Sequence, residues 1–324
     1  MRPITTLLTA SAALCMALTA GLAQAQDYPN RPLRLIIPYA AGGPTDLQGR
    51  IYADRLNDGL HQSVVVENRP GAGEMLGAEV VAHSAPDGYT ILLCSATIVY
   101  APHLMSVPID PLKELTPVAQ VSFVPLTMFI NTRIPVHNFA ELLAYARANP
   151  GKLNLGVSAY GAADHMGVEL LNSRAGVKLI TAVPYKGAVP IIQDLAADRV
   201  DMIITTLSAV RVHVDSGKVI PIAGVQSRRS PFLPDVATIG ESGFPGYDIP
   251  TWNGIFGPAG MPAAAVARLG SELQQTVQNP EVVAKVRGLS IVPTYANAAD
   301  LAVTMRDSSE RIGKIVRDAG LRPQ

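Results

Sequence analysis

Two short segments of the chain place a glycine three residues before an aspartate, directly after an apolar run. The first segment, "IIPYAAGGPTD", runs from Ile36 to Asp46, and the second, "SAYGAADH", runs from Ser158 to His165. A glycine turn that leads into a helix usually holds an anion, because the first amides of a helix lack intrahelical acceptors and carry a partial positive charge. No lysine or arginine lies between Ile36 and Asp46. The anion expected here is therefore a carboxylate held by backbone groups.

The residue types of both turns are those of helix starts. In the first turn, we expect Gly43 as the N-cap, Pro44 as the first helical residue and Asp46 as the third, where a carboxylate suits the helix dipole. In the second turn, the same spacing predicts Gly161 as the N-cap and Asp164 as the third helical residue. Either turn alone could be only a well-capped helix start. Their shared position in two similar halves favours one anion site built from both.

Phosphate is disfavoured as the anion. The segment "AAGGPTD" is neither a Walker loop ending in Gly-Lys-Ser/Thr nor a G-x-G-x-x-G dinucleotide turn.

The elements that position these turns form two similar series of strands and helices. Apolar runs rich in Ile, Val and Leu alternate with helical patterns, which is typical of parallel strands covered on both faces. We therefore predict an α/β fold of two doubly wound lobes joined by two crossovers, near 121–130 and 248–256. Lobe one is predicted to comprise 27–125 plus 250–324, and lobe two 126–249. The strand-like runs are "LRLIIPY", "SVVVEN", "YTILLCSA", "LNLGVSA", "KLITAVPY", "VDMIITT" and "VIPIAGV".

Composition narrows the class of protein. The chain has 324 residues, of which 48% are hydrophobic and 16% charged, as in a globular protein. Residues 1–25 combine Arg2, an apolar stretch and "AQA" before Gln26, which predicts a secretory signal peptide that is cleaved. Without Arg2, 25 basic residues (26 − 1) face 26 acidic ones and form no basic tract, which argues against nucleic acid as a partner. Cys94 would then be the single cysteine, predicted to be a buried apolar residue.

An exported serine hydrolase is the alternative hypothesis. "GVSAY" is one residue away from the G-x-S-x-G nucleophile elbow, with Ser158 as nucleophile and His165 or His83 as base. Tyr160 occupies the last glycine position of that elbow, where a large side chain does not fit. The six histidines form no H-E-x-x-H pair, so the sequence predicts neither a metal site nor a cofactor. We expect a protein that is not an enzyme.

The chain resembles the Bug or TctC-like periplasmic solute receptors of tripartite tricarboxylate transport systems. The resemblance covers 27–324 and rests on the hallmark segments "YPNRPLRLIIPYAAGGPTD", "VVVENRPGAG", "APDGYTILL", "VPYKGA" and "PAGMP". It implies a periplasmic binding protein of type II-like architecture that captures a small mono-, di- or tricarboxylate between its lobes. It further implies delivery to a membrane transporter or sensor, and a monomer in the periplasm.

The resemblance also implies a set of ligand-binding residues. In the family, one ligand carboxylate is held by the loops after the first strand of each lobe, and the far end meets the segment 96–100. Relatives often read G-x-G-[ST] before the second helix, where this chain has "AYGAADH", which implies an altered pocket. Carried over, the ligand-binding residues are Tyr39, Ala40, Ala41, Gly42, Thr45, Asp46, Thr97, Ser158, Ala159, Tyr160, Gly161, Asp164, Tyr185, Thr205 and Thr206.

Overall fold

A computed structural model of the protein describes residues 28–185 and 187–321. The predicted signal peptide, residues 1–25, lies outside the described residues. Among the helices in the described part of the chain, none combines the length and the low polarity that crossing a bilayer would require.

The first sheet is mixed and contains six strands in the order β2-β1-β3-β10-β4-β11. Strands β1, β2 and β3 are parallel, and Leu35 of β1 lies between Val66 of β2 and Ile91 of β3. Strand β10 runs antiparallel to β3 and β4. The strands of this sheet are β1 (Leu33–Ile37), β2 (Val64–Asn68), β3 (Thr90–Ser95), β4 (Leu115–Phe123), β10 (Trp252–Pro258) and β11 (Val292–Asn297).

The second sheet repeats this arrangement with five strands in the order β7-β6-β8-β5-β9. Strand β6 is parallel to β7 and β8, and Leu155 of β6 lies between Ala182 and Met202. Strand β5 is antiparallel to β8 and β9. In each sheet, the inserted antiparallel strand is the one that arrives from the other lobe. The strands are β5 (Thr127–Asn131), β6 (Leu153–Val157), β7 (Ile180–Pro184), β8 (Met202–Thr205) and β9 (Val219–Gly224).

Helices alternate with the parallel strands, as the sequence predicts. The helices cover the faces of the sheets, so the strands are almost wholly buried. In β3, for example, Ile91 and Cys94 are both 0% exposed. Burial also raises the pKa of the Cys94 thiol well above its usual value, which confirms its prediction as a buried residue. Within the described residues the α-helices are α1 (Pro44–Leu60), α2 (Met75–Ala82), α3 (Pro111–Glu114), α4 (Phe139–Ala148), α5 (Ala163–Ala175), α6 (Ala188–Ala196), α7 (Leu207–Asp215), α8 (Ala263–Gln278), α9 (Pro280–Gly288) and α10 (Ala298–Asp318).

Two adjacent crossovers join the sheets. The first connects β4 to β5 through 124–126, and the second enters β10 through 249–251. They are hydrogen bonded to each other, since the amide of Val124 donates to the carbonyl of Thr251 over 3.0 Å. The amide of Val225 donates to the carbonyl of Leu126 over 3.2 Å. This architecture confirms the predicted fold class of two doubly wound lobes joined by two crossovers.

Candidate functional site

The turn in lobe one has the predicted helix start. Gly43 is the N-cap of α1, with φ −75° and ψ 164°, and Pro44 is the first helical residue. Asp46 follows as the third residue, so all three predicted positions are confirmed. Because proline has no amide hydrogen, Thr45 and Asp46 provide the first amides of this helix start. Ala40 and Ala41, in the loop before them, are exposed.

The Asp46 side chain holds this loop in shape. Its carboxylate accepts hydrogen bonds from the Gly42 amide and from Asn68 Nδ2, both over 2.8 Å, and from Arg50 Nε over 3.1 Å. Burial acts to raise the pKa of the Asp46 carboxyl, but hydrogen bonds from Arg50, Gly42 and Asn68 outweigh burial and hold it below its usual value. Asp46 is therefore ionised at neutral pH and fixes the turn between β1 and α1.

The turn in lobe two differs from the prediction by one residue. The N-cap of α5 is Ala162, with φ −70° and ψ 167°, so the predicted N-cap Gly161 is wrong and Asp164 is the second helical residue. The physical reason is that Gly161 has φ +82°, a left-handed conformation that glycine tolerates. The chain uses that glycine to turn one residue before the helix begins.

Asp164 shapes this second loop as Asp46 shapes the first. Its carboxylate accepts hydrogen bonds from the Ser158 amide over 2.5 Å and from the His165 amide over 2.8 Å. Burial raises the pKa of Asp164 to about 6, although these hydrogen bonds act to lower it. Unlike Asp46, the carboxylate accepts no hydrogen bond from a cationic side chain within the described residues.

His165 completes the loop in lobe two. Its Nδ1 atom accepts a hydrogen bond from the Gly161 amide over 3.1 Å, so this nitrogen carries no proton. The His165 ring packs against the Tyr160 ring with centroids 4.6 Å apart. Burial lowers the pKa of His165 to about 4, which keeps the imidazole neutral. The buried His165 side chain therefore stabilises the conformation of the loop.

The loop of lobe two lies against lobe one. A β-carbon built on Gly161 would lie 3.4 Å from Cδ1 of Leu104 and 3.8 Å from Cα of Ala101. Ala101 begins the second 3₁₀ segment after β3, and Leu104 directly follows that segment. The lobes also meet where Ser208 Oγ donates to the carbonyl of Leu289 over 2.5 Å. The two lobes are therefore in contact next to the lobe-two turn, at Gly161.

The remaining predicted residues lie at strand ends of both lobes. Thr97 is buried in the 3₁₀ segment after β3, and its amide donates to Ser95 Oγ over 3.1 Å. Tyr185 follows β7, and its hydroxyl donates to Asp194 over 2.8 Å. Thr205 ends β8, and Thr206 is the N-cap of α7 without a side-chain capping bond; both are buried.

Sequence reasoning missed three polar residues next to the predicted site, namely Asn68, Glu74 and Ser95. Asn68 donates to the Tyr39 carbonyl over 2.9 Å as well as to Asp46. Glu74 is 4% exposed and accepts hydrogen bonds from the Tyr39 hydroxyl, the Ser95 hydroxyl and the Ser95 amide. Glu74 could have been noticed in the sequence, because it is an acidic residue directly after the uncharged turn "GAG".

The hydrolase geometry finds no support around Ser158. The base that the sequence offered beside it, His165, uses Nδ1 to accept from the Gly161 amide, and its Nε2 lies 3.8 Å from Glu169. His83, the other proposed base, ends α2 in lobe one.

Trp252, the first residue of β10, is packed against α10. It is 4% exposed, its Nε1 donates to Ser308 Oγ over 3.0 Å, and its ring packs near Phe256. Trp252 also lines a cavity of about 340 Å³ beside the crossovers.

A second cavity, of about 490 Å³, lies between α4, α5 and the loop 242–245. Neither cavity is lined by the predicted ligand-binding residues.

Comparisons with known proteins identify the family of this chain. The family model described as "Tripartite tricarboxylate transporter family receptor" matches residues 49–321. The protein BugT of Bordetella pertussis is 34% identical over 308 residues, covering 93% of this chain and 94% of BugT. The structure of the periplasmic binding protein BugD is 33% identical with a TM-score of 0.83, covering 92% of this chain and 100% of BugD.

A further solved structure contains a ligand. The R. palustris protein Rpa4515, solved with adipate, is 33% identical with a TM-score of 0.85, covering 92% of this chain and 100% of that protein. The fold, the paired turns and the match over 49–321 lead to one conclusion: this chain belongs to the tripartite tricarboxylate transporter receptor family.

Proposed function

We propose that this protein is a periplasmic solute receptor that captures a small carboxylate-bearing organic acid between its lobes. It then delivers the acid to a membrane transporter or sensor. The proposed ligand-binding residues are those named from the sequence, and the proposed lobes are 27–125 plus 250–324 and 126–249. Catalysis forms no part of this function.

The observation that carries the proposal is the pair of aspartate-braced turns. In each lobe the first parallel strand ends in a loop with one amide that donates to the aspartate of the following helix, Gly42 to Asp46 and Ser158 to Asp164. In parallel α/β sheets, ligands gather at the carboxyl ends of the strands, where helix starts present free amides. Two such ends from facing lobes suit one carboxylate.

The neighbours support the ligand class and the location. Rpa4515 is solved with adipate, a dicarboxylate, and BugD is described as a periplasmic binding protein. The predicted signal peptide agrees with export to the same compartment.

A thermal-shift screen against organic acids, followed by calorimetric titration of the best acid and its methyl ester, tests the proposal. A ligand at 100 times its dissociation constant adds about 2.7 kcal/mol to the free energy of unfolding. A hydrogen bond to a charged group contributes about 1.5 to 3 kcal/mol, so weakening one on each lobe should lower the affinity by about two to four orders of magnitude. An ester that binds as tightly as the acid would contradict the carboxylate site.

The absence of catalysis is tested separately with purified protein and model esters. We expect no turnover above buffer. Turnover that Ser158→Ala abolishes would instead identify a hydrolase.

A further inference from the structure

We infer that Glu74 restricts the ligand to acids with a single carboxylate, because its own carboxylate occupies the donors at the lobe-one end of the site. This inference rests on the proposed function. It assigns to Glu74 a role in specificity, which the carboxylate-binding turns by themselves do not define.

The backbone around Glu74 is unusual. Four consecutive residues have positive φ: Gly71 at 134°, Ala72 at 47°, Gly73 at 58° and Glu74 at 76°. Glycine adopts this conformation readily, whereas a residue with a β-carbon is strained in it. Such a conformation persists only where the surrounding contacts hold it, and it is found preferentially at functional sites. At Glu74, the contacts that hold it are made by the carboxylate.

The Glu74 carboxylate lies at the edge of the sheet where the predicted site lies. Tyr39 comes after β1, Ser95 is the last residue of β3, and these strands are parallel neighbours. Tyr39 donates its hydroxyl to Glu74, and Ser95 donates both its hydroxyl and its amide, the amide over 2.9 Å. Thr97, predicted to meet the far end of the ligand, donates its amide to Ser95 Oγ.

The Glu74 carboxyl has no cationic partner at this end of the site. Across residues 28–185 and 187–321, Glu74 takes part in no ion pair. Burial, the largest effect, raises the pKa of Glu74, although hydrogen bonds from Ser95 and Tyr39 act to lower it.

A second ligand carboxylate would therefore be disfavoured for two reasons. The hydroxyls of Tyr39 and Ser95 and the Ser95 amide already donate to Glu74. In addition, two carboxylates in one site repel each other, which is strong enough elsewhere to shift a pKa by more than a unit. An uncharged amide or hydroxyl at the same end of the ligand avoids the repulsion and can donate to the glutamate.

Matched pairs of ligands test this inference. Succinate, glutarate and adipate are each titrated calorimetrically beside their half-amides, which keep the length and lose one charge. In the wild type, we expect at least one half-amide to bind at least about tenfold more tightly than its diacid, as expected for a like-charge effect of one pKa unit or more. In Glu74→Gln, we expect this preference to fall to about threefold or less. Glu310→Gln, on an exposed glutamate of α10, is the matched control and should keep the wild-type ratio.

Several outcomes would overturn the inference. If the wild type binds the diacids as tightly as their half-amides, the inference is wrong, whatever the variants show. It is also wrong if the tenfold preference for the half-amide persists in Glu74→Gln. If Glu74→Gln does not fold, Glu74→Gly replaces it, because glycine accepts φ +76° without strain. A screen in which no acid and no half-amide binds would instead refute the proposed function, and the inference with it.

Discussion

At the scale of single residues, the two aspartates of the turns act on the protein itself. Asp46 and Asp164 each accept a hydrogen bond from a loop amide, at Gly42 and Ser158 respectively. Their surroundings differ, because Arg50 donates to Asp46 whereas Asp164 is surrounded by neutral donors. The pKa of Asp46 is therefore lowered, while burial raises that of Asp164 to about 6. The Asp164 carboxyl therefore takes up a proton at a higher pH than the Asp46 carboxyl does.

His165 provides the first prediction, on pH dependence. Its pKa is lowered by burial from 6.5 to about 4, so the unfolded chain binds a proton more readily than the folded protein does. The stabilising neutral state is present above pH 6.5 and is lost as the pH falls toward 4. Relative to His165→Asn, wild type should lose about 3 kcal/mol of unfolding free energy between neutral pH and about pH 4.

Asparagine suits this comparison because its Oδ1 can accept from the Gly161 amide in place of Nδ1. The measurement is urea denaturation of both proteins at several pH values, with His137→Asn, on an exposed histidine, as the control. Parallel curves for wild type and His165→Asn would show that His165 titrates normally in the folded protein.

At the scale of elements, the turn after the first parallel strand of each lobe joins that strand to the helix start that we propose as half of the carboxylate site. In lobe one the turn needs Gly42, at φ +85°, followed by the N-cap Gly43. In lobe two, Gly161 makes the turn and Ala162 caps the helix. In both turns a left-handed glycine directly precedes the N-cap, and in lobe two this glycine, Gly161, lies against Leu104 of lobe one, so this turn contributes to the contact between the lobes.

The second prediction compares two glycines with similar backbone conformations. Gly161 has φ +82° and Gly151 has φ +72°, so valine at either position costs at least about 1 to 2 kcal/mol of stability. Only at Gly161 would the added methyl groups reach Leu104 and Ala101; Gly151 has open space around it. We expect Gly161→Val to weaken acid binding at least about tenfold and Gly151→Val to leave it within about twofold. Calorimetric titration and thermal unfolding of both variants provide the measurement. An affinity within twofold for Gly161→Val would mean that Gly161 does not border the ligand.

At the scale of the whole molecule, the crossovers are the natural hinge. The segments 124–126 and 249–251 run side by side, and the amide of Val124 donates to the carbonyl of Thr251. Away from the crossovers, the lobes also touch at several places: α10 packs against α5, and Arg311 pairs with Asp248 over 2.6 Å. Gly161 lies beside Leu104, Ser208 donates to Leu289, and the Arg287 guanidinium lies over the Phe232 ring. These contacts would separate if the lobes opened. Rotation about the hinge would separate the lobes and leave both sheets intact.

The third prediction concerns this closure. Small-angle scattering should give a larger radius of gyration without ligand than with a saturating acid, because binding between the lobes favours the closed arrangement. Saturation is verified by calorimetry on the same sample. A radius that does not change at saturation would rule out closure by hinge motion.

From the sequence alone, the two-lobed α/β fold and the helix start at Gly43, Pro44 and Asp46 could be predicted. These features depend on local chemistry: strand-forming apolar runs, a proline that fits only the first turn, and a carboxylate that suits a helix dipole. The shift of the N-cap from Gly161 to Ala162 could not be predicted in this way. A glycine can serve either as a cap or as a left-handed turn, and packing against Leu104 accompanies the second choice.

Only the tertiary structure decided what the charged residues near the site do. Asp46 and Asp164 accept from nearby loop amides, but the bond from Asn68 to Asp46 depends on β1 and β2 ending side by side. The same holds for Glu74, which is distant in sequence from both Tyr39 and Ser95. Its burial and its raised pKa arise from neighbours that only the sheet order β2-β1-β3 brings together. Local pattern determined the elements of this protein, whereas contacts between distant segments determined the burial and the raised pKa of Glu74.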